Sequence, residues 1–129
     1  MHLTASTLSL LLTSLATSTT AVSTQEVFNW CGESVFLVNV NSTSSTTGPK
    51  EITAGGGNWT TPIVGVGNSV GVSKNDQYFS NKTAKLIWGT STDAGVLYWT
   101  VSSVDGDPFA GEKWEVTSWE GNACESTTT

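Results

Sequence analysis

Residues 84–101 read AKLIWGTSTDAGVLYWTV, and this stretch decides the fold. Ala84, Leu86 and Trp88 alternate with Lys85 and Ile87. Asp93-Ala94-Gly95 then supplies turn residues, and Val96, Tyr98 and Thr100 oppose Leu97, Trp99 and Val101. Period-two alternation of β-branched and aromatic residues around a short Gly-containing turn specifies a β-hairpin. The same grammar extends outward. Val35, Leu37 and Asn39 oppose Phe36, Val38 and Val40, a strand expected to be buried on nearly both faces. Val64, Val66, Val70 and Val72 form a period-two stripe with Gly65, Gly67 and Gly71 opposite, which suits close packing or a bulge. Gly55-Gly56-Gly57, the polar run 75–82 and Asp105-Gly106-Asp107-Pro108 read as breaks, and Trp114 and Val116 as a last strand. No segment has the period of a long amphipathic helix. The expectation is an all-β, antiparallel β-sandwich in a single domain over residues 25–125.

The 129 residues carry 11 acidic side chains and five lysines, with no arginine, for a net charge of −6. Five scattered lysines do not make the cationic surface that displaces phosphate counterions, so nucleic acid is not an expected partner. Residues 1–21 hold no charged side chain, and LSLLLTSL at 8–15 is a short apolar core followed by small residues. That pattern predicts a secretory signal peptide, cut after Ala16 or Ala21. The run is too short to span a bilayer, and no membrane association is expected. Removing the leader removes His2, the only histidine, and with it Ser–His and Cys–His catalysis and any imidazole metal site. No cofactor or metal is implied.

Three sequons, at Asn41, Asn58 and Asn81, agree with export and predict surface positions for glycosylation. Trp59, in the middle of the second, disfavours occupancy there. Export would also put Cys31 and Cys124 in an oxidising compartment, where they are expected to pair; free thiols or an intermolecular bond are the alternatives. Closing so long a loop stabilises by on the order of 4–5 kcal/mol in the chain-entropy model.

Glycoside hydrolysis needs two carboxylates flanking the bond, and the candidates are Asp105, Asp107, Glu112, Glu115 and Glu120. The plainer reading of Asp105 and Asp107 is turn chemistry, because aspartate bonds nearby backbone N–H groups. A neutral, tryptophan-rich secreted β domain also suits stacking on sugar rings. Trp88, Trp99 and Trp114 sit in apolar strands and read as core, and Trp30 is placed to pack on a disulfide at Cys31. Trp59 and Trp119 read as the exposed rings, which with Asp105 and Asp107 make the ligand-binding candidates.

The order of four segments resembles the thaumatin-like superfamily, and within it the short fungal branch of yeast-phase-specific, antigenic thaumatin-like secreted proteins. These segments are Phe28-Asn29-Trp30-Cys31 before Val35-Phe36-Leu37; Pro49 to Trp59 (PKEITAGGGNW); Gly67-Asn68-Ser69-Val70-Gly71-Val72-Ser73-Lys74; and Ser102 to Phe109 with its Val104-Asp105-Gly106 core. The resemblance implies a thaumatin-like sandwich, a bond between the first and last cysteines, and an acidic cleft acting on or binding β-glucan. Only Asp105 matches that cleft. Thr100 stands where an aspartate is expected, Lys85 or Ile87 where a glutamate is expected, and the arginine is missing.

The function expected from these residues and this resemblance is that of a secreted, extracellular, monomeric and non-enzymatic binding protein. It would act at the fungal cell wall or host interface as an antigen, effector or antimicrobial protein, with cell-wall polysaccharide as ligand. The alternatives are a minimal β-glucan hydrolase built on Asp105 with Glu112, Glu115 or Glu120, and an effector that binds a host protein without affinity for carbohydrate.

Overall fold

A computed structural model describes residues 23–43, 45, 48–117 and 123–124. The expected signal peptide, Trp119 and Glu120 lie outside the described residues, as does the side chain of Cys124. Among the described residues there is no helix; strands run β1 Thr24–Asn29, β2 Val35–Val40, β3 Lys50–Ile52, β4 Gly57–Pro62, β5 Asn68–Ser73, β6 Lys85–Asp93, β7 Val96–Val104, β8 Val116–Thr117 and β9 Ala123–Cys124. Five of them form one antiparallel sheet in the order β3-β2-β5-β6-β7, while β1 pairs with β4 and β8 with β9. The chain is therefore an all-β, antiparallel, single small domain.

The hairpin of residues 84–101 forms as its sequence requires. Ala94 and Gly95 both have positive φ, 48° and 77°, the backbone of a tight turn whose twist matches its strands. Nine pairs then run from Asp93↔Val96 down to Lys85↔Val104. Across the sheet, paired residues share a face. Leu37, Val72, Leu86 and Ser103 lie in register on one face, and Val38, Gly71, Ile87 and Ser102 on the other.

The first face holds the core. Val35, Leu37, Ile52, Val70 and Phe109 are buried together, with Val27, Trp59, Val72, Leu86 and Trp114 packed against them. Val27 and Trp59 come from the β1–β4 ribbon, which lies over this face. Its Gln25 side chain accepts a hydrogen bond from Thr90 Oγ1 at 3.0 Å, and Asn29 Nδ2 donates to the carbonyls of Glu33, Ile52 and Thr53. The loop 74–84 covers part of the opposite face. Tyr78 lies on Gly71 so closely that a Cβ there would overlap its hydroxyl group. Gly71 is thus the bare position that admits an aromatic lid, and Val38, opposite it in β2, is buried beneath the same layer.

Three expectations are corrected. The valine stripe is one strand only from Asn68: Val64 and Val66 lie in a turn, where Gly65 and Gly67 take φ of 55° and 84°, and Val66 is exposed. Trp99 is not core: it is 40% exposed on β7, the edge strand of the sheet. Trp114 is half-buried but precedes the last strand pair, which begins at Val116.

Candidate functional site

Among the described residues, the candidate carboxylates Asp105, Asp107, Glu112 and Glu115 each engage a partner of their own. Asp105 has φ 58°, a conformation aspartate tolerates. Its Oδ2 accepts from Lys85 Nζ at 2.9 Å. Lys85 is buried, with side chains of the pair 9% and 34% exposed. Its ammonium also donates to the Ser80 and Thr83 carbonyls at 2.9 and 2.8 Å and lies 5.7 Å from the Tyr78 ring centroid. Asp105 therefore neutralises a buried cation and ties the 74–84 loop to the turn after β7. Asp107 Oδ1 accepts from the Phe109 amide at 2.9 Å, as turn chemistry requires. Glu115 lies 3.9 Å from the exposed Lys113.

Glu112 accepts a hydrogen bond from Lys74 and lines a shallow groove of about 350 Å³ with Cys31, Gly32, Glu33, Ser34, Val35 and Lys74. The Glu112 hydrogen bond first, then the charges of Glu112 and Glu33, push the Lys74 ammonium above its ordinary pKa. Cys31 Sγ lies 4.0 Å from Glu112 Oε2. A general acid is kept protonated by apolar surroundings or a neighbouring carboxylate. Asp105 and Glu112 instead each face a lysine. Among the described residues no three His, Cys, Asp or Glu side chains gather as a metal site, and no helix is long and apolar enough to cross a membrane.

The aromatic residues are distributed differently from the expectation. Trp59 does not stand exposed. It is half-buried against the core cluster, because strand alternation in β4 turns it inward and Asn58 and Thr60 outward. Trp30 is expected to pack on a disulfide at Cys31, whose partner side chain lies outside the described residues. Its ring is 76% exposed and stacks on Phe28, 51% exposed, with centroids 6.0 Å apart and planes 12° from parallel. Gly56 passes beneath it, where a Cβ would come 3.1 Å from the ring.

A third aromatic surface lies on the sheet face away from the core, toward the tip of β6–β7. Tyr98 is 58% exposed there. It pairs with Ser91, and beside it runs the row Ser69, Gly89 and Thr100. Ser102 continues the same face. No residue from Leu86 to Thr92 or from Val96 to Val104 carries a charge. Toward the hairpin tip, beyond the part covered by the 74–84 loop, this face bears hydroxyl groups around the exposed Tyr98 ring.

The family model of the Blastomyces yeast-phase-specific protein, Bys1, matches residues 12–129. The chain belongs to the Bys1 family. This corrects the thaumatin-like resemblance: the matching family is not a thaumatin-like one. The ordered short motifs misled because Gly turns, an Asp-Gly corner and alternating valines recur in many small β domains. No curated protein and no solved structure matches the chain. The uncharged surface around Tyr98 lies apart from the Lys85–Asp105 and Lys74–Glu112 pairs. Sequence reasoning did not single out Phe28, Lys74 or Glu33 as site residues; for Phe28 the available signal was an aromatic two residues before Trp30.

Proposed function

We propose that this Bys1 family chain is a secreted, glycosylated, non-enzymatic binding protein of the fungal surface or host interface, and that it takes polysaccharide across the open β6–β7 face. The supporting observation is the exposed Tyr98 set among Ser69, Ser91, Thr100 and Ser102 on an uncharged stretch of sheet. A sugar ring offers an apolar C–H face to an aromatic ring and hydroxyls at its edge. Export with loss of residues 1–16 or 1–21 and a Cys31–Cys124 bond belong to the same reading; the N-terminus and the non-reducing mass of exported protein test both. Retention on insoluble β-glucan or chitin, lost in Tyr98→Ala, is the expected result, and no retention by the wild type overturns the polysaccharide ligand. Release of reducing ends from β-1,3-glucan by wild type but not by Asp105→Asn would overturn the non-enzymatic reading.

A protein partner is the second reading, favoured by the outer edge of β7. Among the described residues nothing pairs with it, and Leu97 and Trp99 stand beside it partly exposed. An unpaired, uncharged strand can accept an extended segment by main-chain hydrogen bonds.

A further inference from the structure

The inner side of the β1–β4 ribbon carries Val27 and Trp59 with the buried Gln25 and Asn29, while Phe28 on its outer side and Trp30 just past the end of β1 stand exposed. Strand alternation turns Phe28 outward, and a large exposed aromatic pair marks a surface that something covers. The cross-strand partner of Phe28 is Asn58, with Glu26 and Thr60 as the next pair on the same side. Directly paired side chains stand about 5 Å apart, and diagonal neighbours remain within reach of long or aromatic groups. Asn58 is exposed, and its Nδ2 donates to Glu26 Oε1 at 3.2 Å, so the amide lies along this outer face. It is also the acceptor of the sequon Asn58-Trp59-Thr60, with Trp59 turned inward, out of the way of a substituent on Asn58.

We propose that Asn58 carries an N-linked glycan whose first sugar lies on the Phe28–Trp30 pair, so that these rings are the seat of the chain's own glycan. The proposal rests on the secreted reading above. In the modification, Asn58 Nδ2 bonds to the anomeric carbon of an N-acetylhexosamine as the C–O bond to its lipid pyrophosphate carrier breaks. The amide loses one proton and the pyrophosphate departs. The sugar's C–H face then covers aromatic surface that is otherwise open to water, while Gly56 leaves Trp30 room to lie flat.

The test uses the full chain exported from a eukaryotic host. Glycopeptide mass spectrometry reads occupancy at Asn41, Asn58 and Asn81. Thermal unfolding then compares the glycosylated wild type with Thr60→Ala, which removes only this sequon, and repeats the comparison in Phe28→Ala and Trp30→Ala backgrounds. The expected result is an occupied Asn58 and a midpoint raised by roughly 2–6 °C in wild type, with the gain lost in either aromatic variant. Hydroxyl-radical labelling of Trp30 should fall several-fold in the glycosylated form. An occupied Asn58 that gives equal gains in all backgrounds and leaves Trp30 labelling unchanged overturns the seat. Occupied Asn41 or Asn81 with an empty Asn58 overturns this glycan but not secretion. A chain that is not exported and bears no glycan overturns the secreted reading itself.

Discussion

Asp105→Asn separates a structural carboxylate from a catalytic one. Asparagine keeps the side-chain size and tolerates the positive φ of 58° at this position, so the substitution chiefly removes the charge facing Lys85. An exposed ion pair contributes about 0–1 kcal/mol, and breaking a fully buried one costs about 3–5 kcal/mol. Here one partner is buried and the other a third exposed. The ammonium also keeps its bonds to the Ser80 and Thr83 carbonyls. The loss should therefore approach that of one hydrogen bond to a charged group, about 2 kcal/mol. For a domain of this size that lowers the unfolding midpoint by on the order of 10 °C. Asp105→Ala should cost about 1 kcal/mol more, since alanine resists the left-handed backbone. Thermal and urea unfolding followed by circular dichroism measure both. Adding Lys85→Met to Asp105→Asn should cost clearly less than the sum of the single losses, because the two residues share one interaction. A midpoint unchanged by Asp105→Asn, or strictly additive losses, would refute the buried-pair account.

Two further substitutions probe the lid over the sheet. Gly71→Ala places a methyl group where the Tyr78 hydroxyl lies; displacement of the 74–84 loop and a loss of about 2 kcal/mol or more are expected by urea unfolding, and a near-neutral result would show that Tyr78 does not sit there. Burial pushes the Tyr78 phenol above its ordinary value of 10.0. The folded state therefore retains a proton that the unfolded chain gives up, and the associated stability is complete below pH 10 and lost as pH rises through the folded value. Urea unfolding between pH 8 and 11 should show this alkaline decline, and Tyr78→Phe should make it shallower; equal slopes in both proteins count against a buried phenol.

The fold class was legible because the hairpin of residues 84–101 carries its own instructions: a turn that fixes register and strands that alternate. That register also contained the ion pair. Counting outward from Asp93↔Val96 brings Lys85 opposite Val104, one residue from Asp105. A lysine in an apolar strand was therefore a readable sign of a buried cation needing a carboxylate. The burial of Trp59 and the exposure of Trp99 were less accessible. Each sits in an alternating strand, and alternation gives two faces without saying which one is covered. Trp59 is half-buried because its ribbon folds over the core face, and Trp99 is exposed because its strand ends up at the sheet edge. Both facts depend on strand order, which is set by long-range pairing.

Strand order also separates the two kinds of chemistry this domain could perform. Ser73 pairs with Phe36 and with Lys85, and Lys85 with Val104. The start of β2, the end of β5, the start of β6 and the end of β7 therefore meet at one end of the sheet. Cys31 and Glu33 precede β2, Lys74 follows β5, and Asp105 follows β7, so the charged residues gather at that end. There the lysines neutralise the carboxylates: Lys74 holds Glu112 and Lys85 holds Asp105. At the other end the sheet face bears serine and threonine hydroxyls and Tyr98, with Asp93 the one carboxylate at the tip of the hairpin. A glycoside hydrolase needs its acid and its sugar-binding surface at the same place. Here the hydroxyl-lined face around Tyr98 and the Asp105 and Glu112 carboxylates stand at opposite ends of the same strands, which supports the proposed binding reading over hydrolysis at Asp105.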